Sequence, residues 1–160
     1  MTERITPETG VGAMFAGPVR TLTLGRVLAF SGGPIETPGW PAKNLHTDGV
    51  KAAEAGLPAP IASGIQYEGY LVELLIRLFG DRWFREGELR TKYPRTVSVG
   101  DAVRPMARVA SRSEDGDRVN FDLDVWCERS DSEKVLVGTA RCAVSTVRRT
   151  RDERNAAGRS

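Results

Sequence analysis

From residue 64 onward, the hydrophobic positions follow first a helical period and then an alternating one. Apolar residues keep a helical spacing from Gly64 to Phe79, and Gly80 ends the pattern. Because so many positions on this segment are apolar, it predicts a long, largely buried helix that Ser63 caps. The positions that keep this spacing are Ile65, Leu71, Leu74, Leu75, Leu78 and Phe79.

After this helix the apolar positions alternate with a period of two, which is typical of strands. Strands are predicted over 89–93, 102–113, 119–128 and 135–147, with turns between them that contain Gly, Asp or Ser. In 119–128 one side is apolar and the other polar, as in a half-buried antiparallel strand. A sheet wrapped around one long helix buries both apolar faces, so the sequence predicts a single α+β domain.

The segments before the long helix are shorter and less regular. Residues 19–24 alternate like a short strand, and 25–30 continue as a helical turn. Residues 31–41 are dense in Gly and Pro, which predicts a long loop. Asp48 is then a candidate N-cap for a short helix that ends near Ala55.

The sequence predicts one domain with a less regular segment at each end. The 160 residues are 40% hydrophobic and 28% charged, which suits one globular domain. Residues 1–16 lack periodicity and are predicted to be a flexible arm, with the domain over 17–147. Residues 148–160 are rich in Arg and are predicted to be a disordered basic tail. Because the net charge of +2 resides mostly in this tail, no nucleic-acid partner is expected.

Several classes of protein find no support in the sequence. Cys127 and Cys142 lack metal-ligand spacing and are interpreted as buried thiols in a reducing compartment. The start does not resemble a signal peptide, and the apolar run at 71–79 is too short to cross a bilayer. We therefore expect a cytoplasmic protein without a membrane partner. No phosphate-binding loop, dinucleotide motif, zinc spacing or serine-hydrolase motif occurs, so no cofactor and no metal are expected.

Candidate chemistry is concentrated in two segments before the long helix. His46, the one histidine of the sequence, lies in Asn44-Leu45-His46-Thr47-Asp48. Histidine takes and returns a proton near neutral pH, although a surface or structural histidine would show the same spacing. The segment 60–64 leads into the helix, where unpaired N–H groups can bind the oxygen of a thioester as it gains negative charge. Gly64 would let a ligand approach closely, or would merely permit the turn.

Nearby carboxylates are candidate partners for His46, because acid–base work on an enoyl group needs both an acid and a base. Glu36 lies in the loop and Glu68 follows Gly64 by four residues. Asp48 is interpreted as a helix cap rather than a catalytic group. Each of the other two carboxylates has an alternative interpretation as a solvated side chain.

In this order the segments resemble the MaoC-like (R)-specific enoyl-thioester hydratases and dehydratases. The resemblance spans about residues 19–147 and rests on the ordered set 29–32, 44–48, 60–64, 89–94 and 99–101. It implies a hotdog fold, normally dimeric, with sites at the subunit interface. It also implies that water is added to, or removed from, a thioester on coenzyme A or an acyl carrier protein. His46 then matches the catalytic histidine, and Gly64 matches the glycine whose N–H holds the thioester oxygen.

One departure from the family concerns its catalytic Asp, which stands five residues before the histidine. Position 41 is Pro here, and an insertion of about residues 33–40 follows Ser31-Gly32. The leading hypothesis remains a lyase. The alternatives are an isomerase or cyclase of secondary metabolism that uses His46 as base, and a non-catalytic acyl-binding subunit, against which the retained histidine argues. The predicted catalytic residues are His46, Gly64, Glu68 and Glu36, and the predicted substrate-binding residues are Asn44, Ser63, Tyr67 and Trp40.

Overall fold

The computed structural model describes residues 4–147. Its elements in chain order are β1 (Met14–Ala16), β2 (Arg20–Thr21), α1 (Leu24–Ser31), α2 (Gly49–Glu54), α3 (Gly64–Phe79), α4 (Asp81–Glu86), β3 (Glu88–Lys92), β4 (Ala102–Asp115), β5 (Arg118–Arg129) and β6 (Lys134–Ser145).

The strands form one antiparallel sheet in the order β1-β4-β5-β6-β3, with β2 also paired to β4. Strand β5 buries every second residue, so the predicted half-buried strand is confirmed. The face that it buries carries Val119, Phe121, Leu123, Val125 and Cys127. Helix α3 contacts β4, β5 and β6, and the α+β prediction is confirmed.

Helix α3 supplies the other half of the core. Leu71 and Leu75 are fully buried, and the helix ends where Gly80 takes a positive φ of 65° and donates its N–H to Ile76 O. Ile65 was expected in the buried set, but it is 68% exposed. It precedes the buried Tyr67 by two residues, a rotation of about 200° around the helix, and therefore lies on the opposite face.

The first described residues pack against the domain instead of forming the predicted flexible arm. Ile5 is 5% exposed, and its N–H donates to Leu78 O at 3.1 Å. Phe15 is also buried within β1, which pairs with β4. The arm prediction was wrong over residues 4–16, because single apolar side chains can anchor a segment that has no period. The predicted tail, 148–160, lies outside the described residues.

The predicted strand at 19–24 is shorter than expected. Only Arg20–Thr21 pairs with β4, and Thr23 then caps α1 by accepting a hydrogen bond from the N–H of Arg26. The long loop is confirmed, since no helix or strand occurs between residues 32 and 48. Both cysteine thiols are unbridged and buried. Among the described residues, no helix has both the length and the hydropathy needed to cross a membrane.

Candidate active site

His46 is held by hydrogen bonds on its ring and on its backbone. Its ring nitrogen Nδ1 lies 2.8 Å from the carbonyl oxygen of Ile61. A carbonyl oxygen only accepts, so Nδ1 carries a proton and Nε2 is the nitrogen that gains or loses one. The backbone N–H of His46 donates to Asn44 Oδ1 at 2.9 Å, and Asn44 Nδ2 donates to Ser31 O at 2.8 Å. Asn44 thus fixes the backbone of the segment that carries the imidazole.

Gly64 is the first residue of α3, where backbone N–H groups have no partner within the helix. A Cβ on Gly64 would lie 2.7 Å from Cε1 of the Tyr93 ring, closer than real Cβ contacts. The position therefore accommodates glycine and leaves no room for a side chain. Ser63 occupies the N-cap position, but its side chain makes no capping hydrogen bond.

The segment after β3 runs back alongside the start of α3. Ala62 N–H donates to Val97 O at 2.8 Å, and Ile61 forms an isolated antiparallel bridge with Ser98. These backbone contacts bring Tyr93 and its neighbours to the segment that carries Gly64.

A cavity of about 340 Å³ lies where these segments meet, within the size range of small-ligand pockets. It brings together the predicted site residues His46, Gly64 and Tyr67. The complete lining is His46, Ile61, Ala62, Gly64, Ile65, Tyr67, Tyr93, Pro94, Arg95 and Thr96.

Glu68 lies behind Tyr93 and does not line the cavity. One of its oxygens, Oε2, accepts a hydrogen bond from the Thr91 hydroxyl at 2.8 Å and another from the Tyr93 hydroxyl. Burial and the hydrogen bond to Glu68 raise the pKa of Tyr93, so its phenol stays protonated at neutral pH. Among the described residues that line the cavity, only Tyr93 is hydrogen-bonded to the Glu68 carboxylate.

Tyr67 and Cys127 are two buried neighbours at this site, and the Cys127 thiol lies 3.5 Å from the carbonyl oxygen of Tyr67. Tyr67 is 2% exposed and meets the Tyr93 ring edge-on, with ring centroids 5.9 Å apart. Burial, with lesser effects of Tyr93 and Cys127, raises the pKa of Tyr67 to about 12. Burial also raises the pKa of the Cys127 thiol to about 12. Both groups are thus neutral over the physiological range.

No protein-family model and no curated relative matches the chain. Solved structures do. A MaoC-like dehydratase from Rhodospirillum rubrum is 19% identical with a TM-score of 0.68, over 89% of this chain and 96% of that one. The (R)-hydratase from A. caviae involved in PHA biosynthesis is 19% identical with a TM-score of 0.64, over 86% and 98%. An R-hydratase from Pseudomonas aeruginosa is 17% identical with a TM-score of 0.61, over 89% and 91%.

The chain has the hotdog fold. At these identities the similarity establishes the fold, and it confirms the architecture that the resemblance implied. Helix α3 is the long central helix around which the hotdog sheet wraps, and the candidate cavity opens at its N-terminal end.

The long loop of this hotdog domain does not bring its predicted site residues to the cavity. Glu36 is exposed, and the Trp40 indole N–H donates to Gly33 O at 3.1 Å, so the loop folds on itself. Neither residue lines the cavity. Asp48 accepts hydrogen bonds from the N–H groups of Val50 and Lys51, so its interpretation as a helix cap is confirmed.

Sequence reasoning missed the contribution of residues 93–96 to the cavity. Tyr93 ends the predicted strand 89–93, and neither it nor Pro94 was among the predicted site residues. The local pattern holds no further signal, because the position of these residues depends on the bridge between Ile61 and Ser98, which are far apart along the chain.

Proposed function

We propose that this chain is a lyase that adds water to an enoyl thioester, or removes it from the hydroxyacyl form. The substrate would be carried by coenzyme A or by an acyl carrier protein. The observation that carries the proposal is the single cavity lined by both His46 and Gly64, in which Nδ1 is engaged by Ile61 and Nε2 is left for proton transfer. The similarity in fold to (R)-hydratases and a MaoC-like dehydratase supports it.

In this proposal the thioester oxygen accepts a hydrogen bond from the N–H of Gly64. Negative charge grows on that oxygen when Cα loses a proton or Cβ is attacked, and an N–H at a helix start stabilises it. His46 Nε2 transfers the proton at Cα. The cavity lining is otherwise apolar near Ile61, Ala62 and Ile65, which suits an acyl chain.

A second candidate function is an isomerase or cyclase in which His46 is the base. It is favoured by one observation: within residues 4–147, no Asp or Glu side chain lines the cavity directly. A base and an oxyanion site are enough to move a proton beside a carbonyl or to close a ring. A non-catalytic acyl-binding subunit would use the same cavity without proton transfer.

The test measures hydration of trans-2-enoyl-coenzyme A thioesters whose acyl chains have four to ten carbons. The reaction is monitored by the loss of the enoyl absorbance. We expect His46→Ala to lower turnover by at least about 100-fold, the usual contribution of a general acid–base group. The control is Asp48→Asn, which keeps an oxygen at the cap of α2 and should retain activity. Full activity of folded His46→Ala would contradict the assignment. Binding without turnover by the wild-type chain would favour the non-catalytic subunit.

We also propose a homodimer or a dimer of dimers. The edge of β3 that faces away from β6 pairs with no other strand of residues 4–147. Open strand edges tend to pair with another chain, and closed symmetric assemblies are the commonest outcome. Pairing at this edge would also place a second subunit next to Tyr93, which follows β3 directly.

A further inference from the structure

The hydroxyls of Thr91 and Tyr93 both donate to one oxygen of Glu68. Of these two residues, Tyr93 lines the cavity that contains His46. Thr91 and Glu68 are partly buried, whereas Tyr93 lines the cavity and is 43% exposed. The phenol therefore stands between the carboxylate and the space that a substrate would fill. A carboxylate that receives two hydroxyl hydrogen bonds keeps capacity for a proton, because each oxygen has two lone pairs.

We propose that Tyr93 is a catalytic residue, and that its hydroxyl, backed by Glu68 as a positioning residue, is the second proton-transfer group of the site. The inference rests on the proposed hydratase function. In this inference, Tyr93 and Glu68 together transfer the proton at the oxygen that is bonded to Cβ. His46 transfers the other proton, at Cα.

The ring of Tyr93 is held in place on several sides. The ring lies against Gly64, it makes an edge-to-face contact with Tyr67 at a centroid distance of 5.9 Å, and its hydroxyl is hydrogen-bonded to Glu68. Because these contacts hold the Tyr93 ring, they also fix the position of its hydroxyl relative to the start of α3. A thioester bound at the Gly64 N–H would extend from this point, with His46 and Tyr93 both lining the space around its Cα and Cβ.

In the hydration direction the site starts with a proton on His46 Nε2 and a charged Glu68 carboxylate. A water molecule donates one hydrogen to the Tyr93 oxygen and attacks Cβ with its electron pair, forming the C–O bond. The proton of the Tyr93 hydroxyl passes to Glu68 as the water proton arrives, so no phenolate is formed. The electrons of the Cα–Cβ double bond move toward the thioester oxygen, and Cα then takes the proton from Nε2.

Elimination is the reverse of this sequence. Neutral Nε2 takes the Cα proton, the Cβ–O bond breaks with its electron pair on oxygen, and that oxygen receives a proton from Tyr93 while Glu68 returns one to Tyr93. In either direction one proton is exchanged between His46 and the Tyr93–Glu68 pair, and solvent restores the starting distribution. Atoms and charge balance without an additional reactant.

The experiment compares two reactions of the full chain that need different groups. Hydration of crotonyl-coenzyme A needs both proton-transfer groups. Exchange of the Cα hydrogen of (R)-3-hydroxybutyryl-coenzyme A with D2O, followed by mass spectrometry, needs only His46 and Gly64. We expect Tyr93→Phe, which keeps the ring on Gly64, to lower the kcat of hydration by about 100-fold while Cα exchange stays within about threefold of wild type.

Glu68→Gln should show the same division between hydration and exchange, with a fall in kcat and a nearly unchanged KM. A role limited to holding the fold would lower both reactions together. The matched control is Tyr70→Phe, two residues after Glu68 on the same helix, whose ring lies under the Arg20 guanidinium outside the cavity. This variant should leave both reactions unchanged.

The outcomes separate failure of the inference from failure of the proposed function. If His46→Ala abolishes both reactions but Tyr93→Phe hydrates at the wild-type rate, the inference is overturned and the proposed function stands. If the wild-type chain neither hydrates the enoyl thioester nor exchanges the Cα hydrogen, the proposed function fails and the inference fails with it. An equal loss of hydration and exchange in a folded Tyr93→Phe variant would also overturn the inference.

Discussion

The ring of Tyr93 packs so closely on Gly64 that a Cβ at position 64 would lie 2.7 Å from ring atom Cε1. The glycine is therefore needed by the packing of the site, in addition to any contact with a substrate. A methyl group at this position would displace the ring and break the hydrogen bond between Tyr93 and Glu68.

Gly64→Ala should destabilise the domain by about 1–3 kcal/mol, as overpacking of a close contact usually does. The control is Gly69→Ala on the same helix, where a Cβ would meet nothing within 4 Å. That substitution should stabilise the domain by about 0.5–1 kcal/mol, because alanine favours a helix interior. Urea unfolding of both variants measures the difference, and equal stabilities would contradict the packing argument.

Three helices, α1, α2 and α3, start at a Thr, Asp or Ser cap residue, and of these only the cap residue of α3 makes no side-chain hydrogen bond to its helix. Asp48 accepts from two N–H groups of α2, whereas the side chain of Ser63 makes no capping bond on α3. Asp48→Ala should therefore lower the free energy of unfolding by about 1 kcal/mol, and Ser63→Ala by much less. Thermal or urea unfolding tests this ranking, and the reverse order would refute it.

Asn44 is expected to act on catalysis through the position of His46. Its side chain joins the His46 N–H to Ser31 O, and Asn44→Ala removes both bonds. The kcat for enoyl-thioester hydration should fall by about tenfold or more with little change in KM, because misplacing a catalytic group mainly affects the transition state. Asn120→Ala, on the strand β5, is the control. Unchanged kcat in Asn44→Ala would show that His46 does not depend on this support.

Stability should decline in alkali because of Tyr67 and Cys127, whose pKa values are raised by burial to about 12 each. In the unfolded chain both groups lose their protons nearer their ordinary values of 10.0 and 9.0. The folded state thus holds protons that the unfolded state releases, and its advantage is lost progressively as pH rises from about 9 to 12. Unfolding free energies measured at pH 8, 9 and 10 should fall, and Cys127→Ala should flatten the lower part of the curve.

Light scattering at micromolar concentration should give at least twice the chain mass of 17.5 kDa, in keeping with the open edge of β3. A mass of 17.5 kDa would contradict the proposed dimer.

The elements whose signal is local were predictable from the sequence. In α3 the apolar residues recur with a spacing of 3.6, and in β5 they alternate, because each element buries one side. The sequence pattern of each element therefore reveals both its type and its buried side. Ile65 is the exception, because one apolar residue at the start of a helix does not reveal which face it joins. The packing of Ile5 and Phe15 was missed because an isolated apolar side chain has no period.

The site was only partly predictable for a related reason. His46 and Gly64 lie in short segments with recognisable residues, and the structure places both at one cavity. Tyr93 reaches the cavity through pairing between Ile61 and Ser98, which no local pattern encodes. Glu36 was selected for its position in the chain near His46, but the loop that carries it turns away.

The loop before His46 is closed at its base by two hydrogen bonds, from Asn44 Nδ2 to Ser31 O and from Ala42 N–H to Gly32 O, each 2.8 Å long. These two bonds hold the ends of the loop together, and none of residues 33–41 lines the cavity that contains His46. Each doubling of a flexible loop costs only about 0.6 kcal/mol in closure entropy. We therefore expect residues 33–41 to accept a foreign peptide segment, such as an affinity tag or a fluorophore site, without displacing His46.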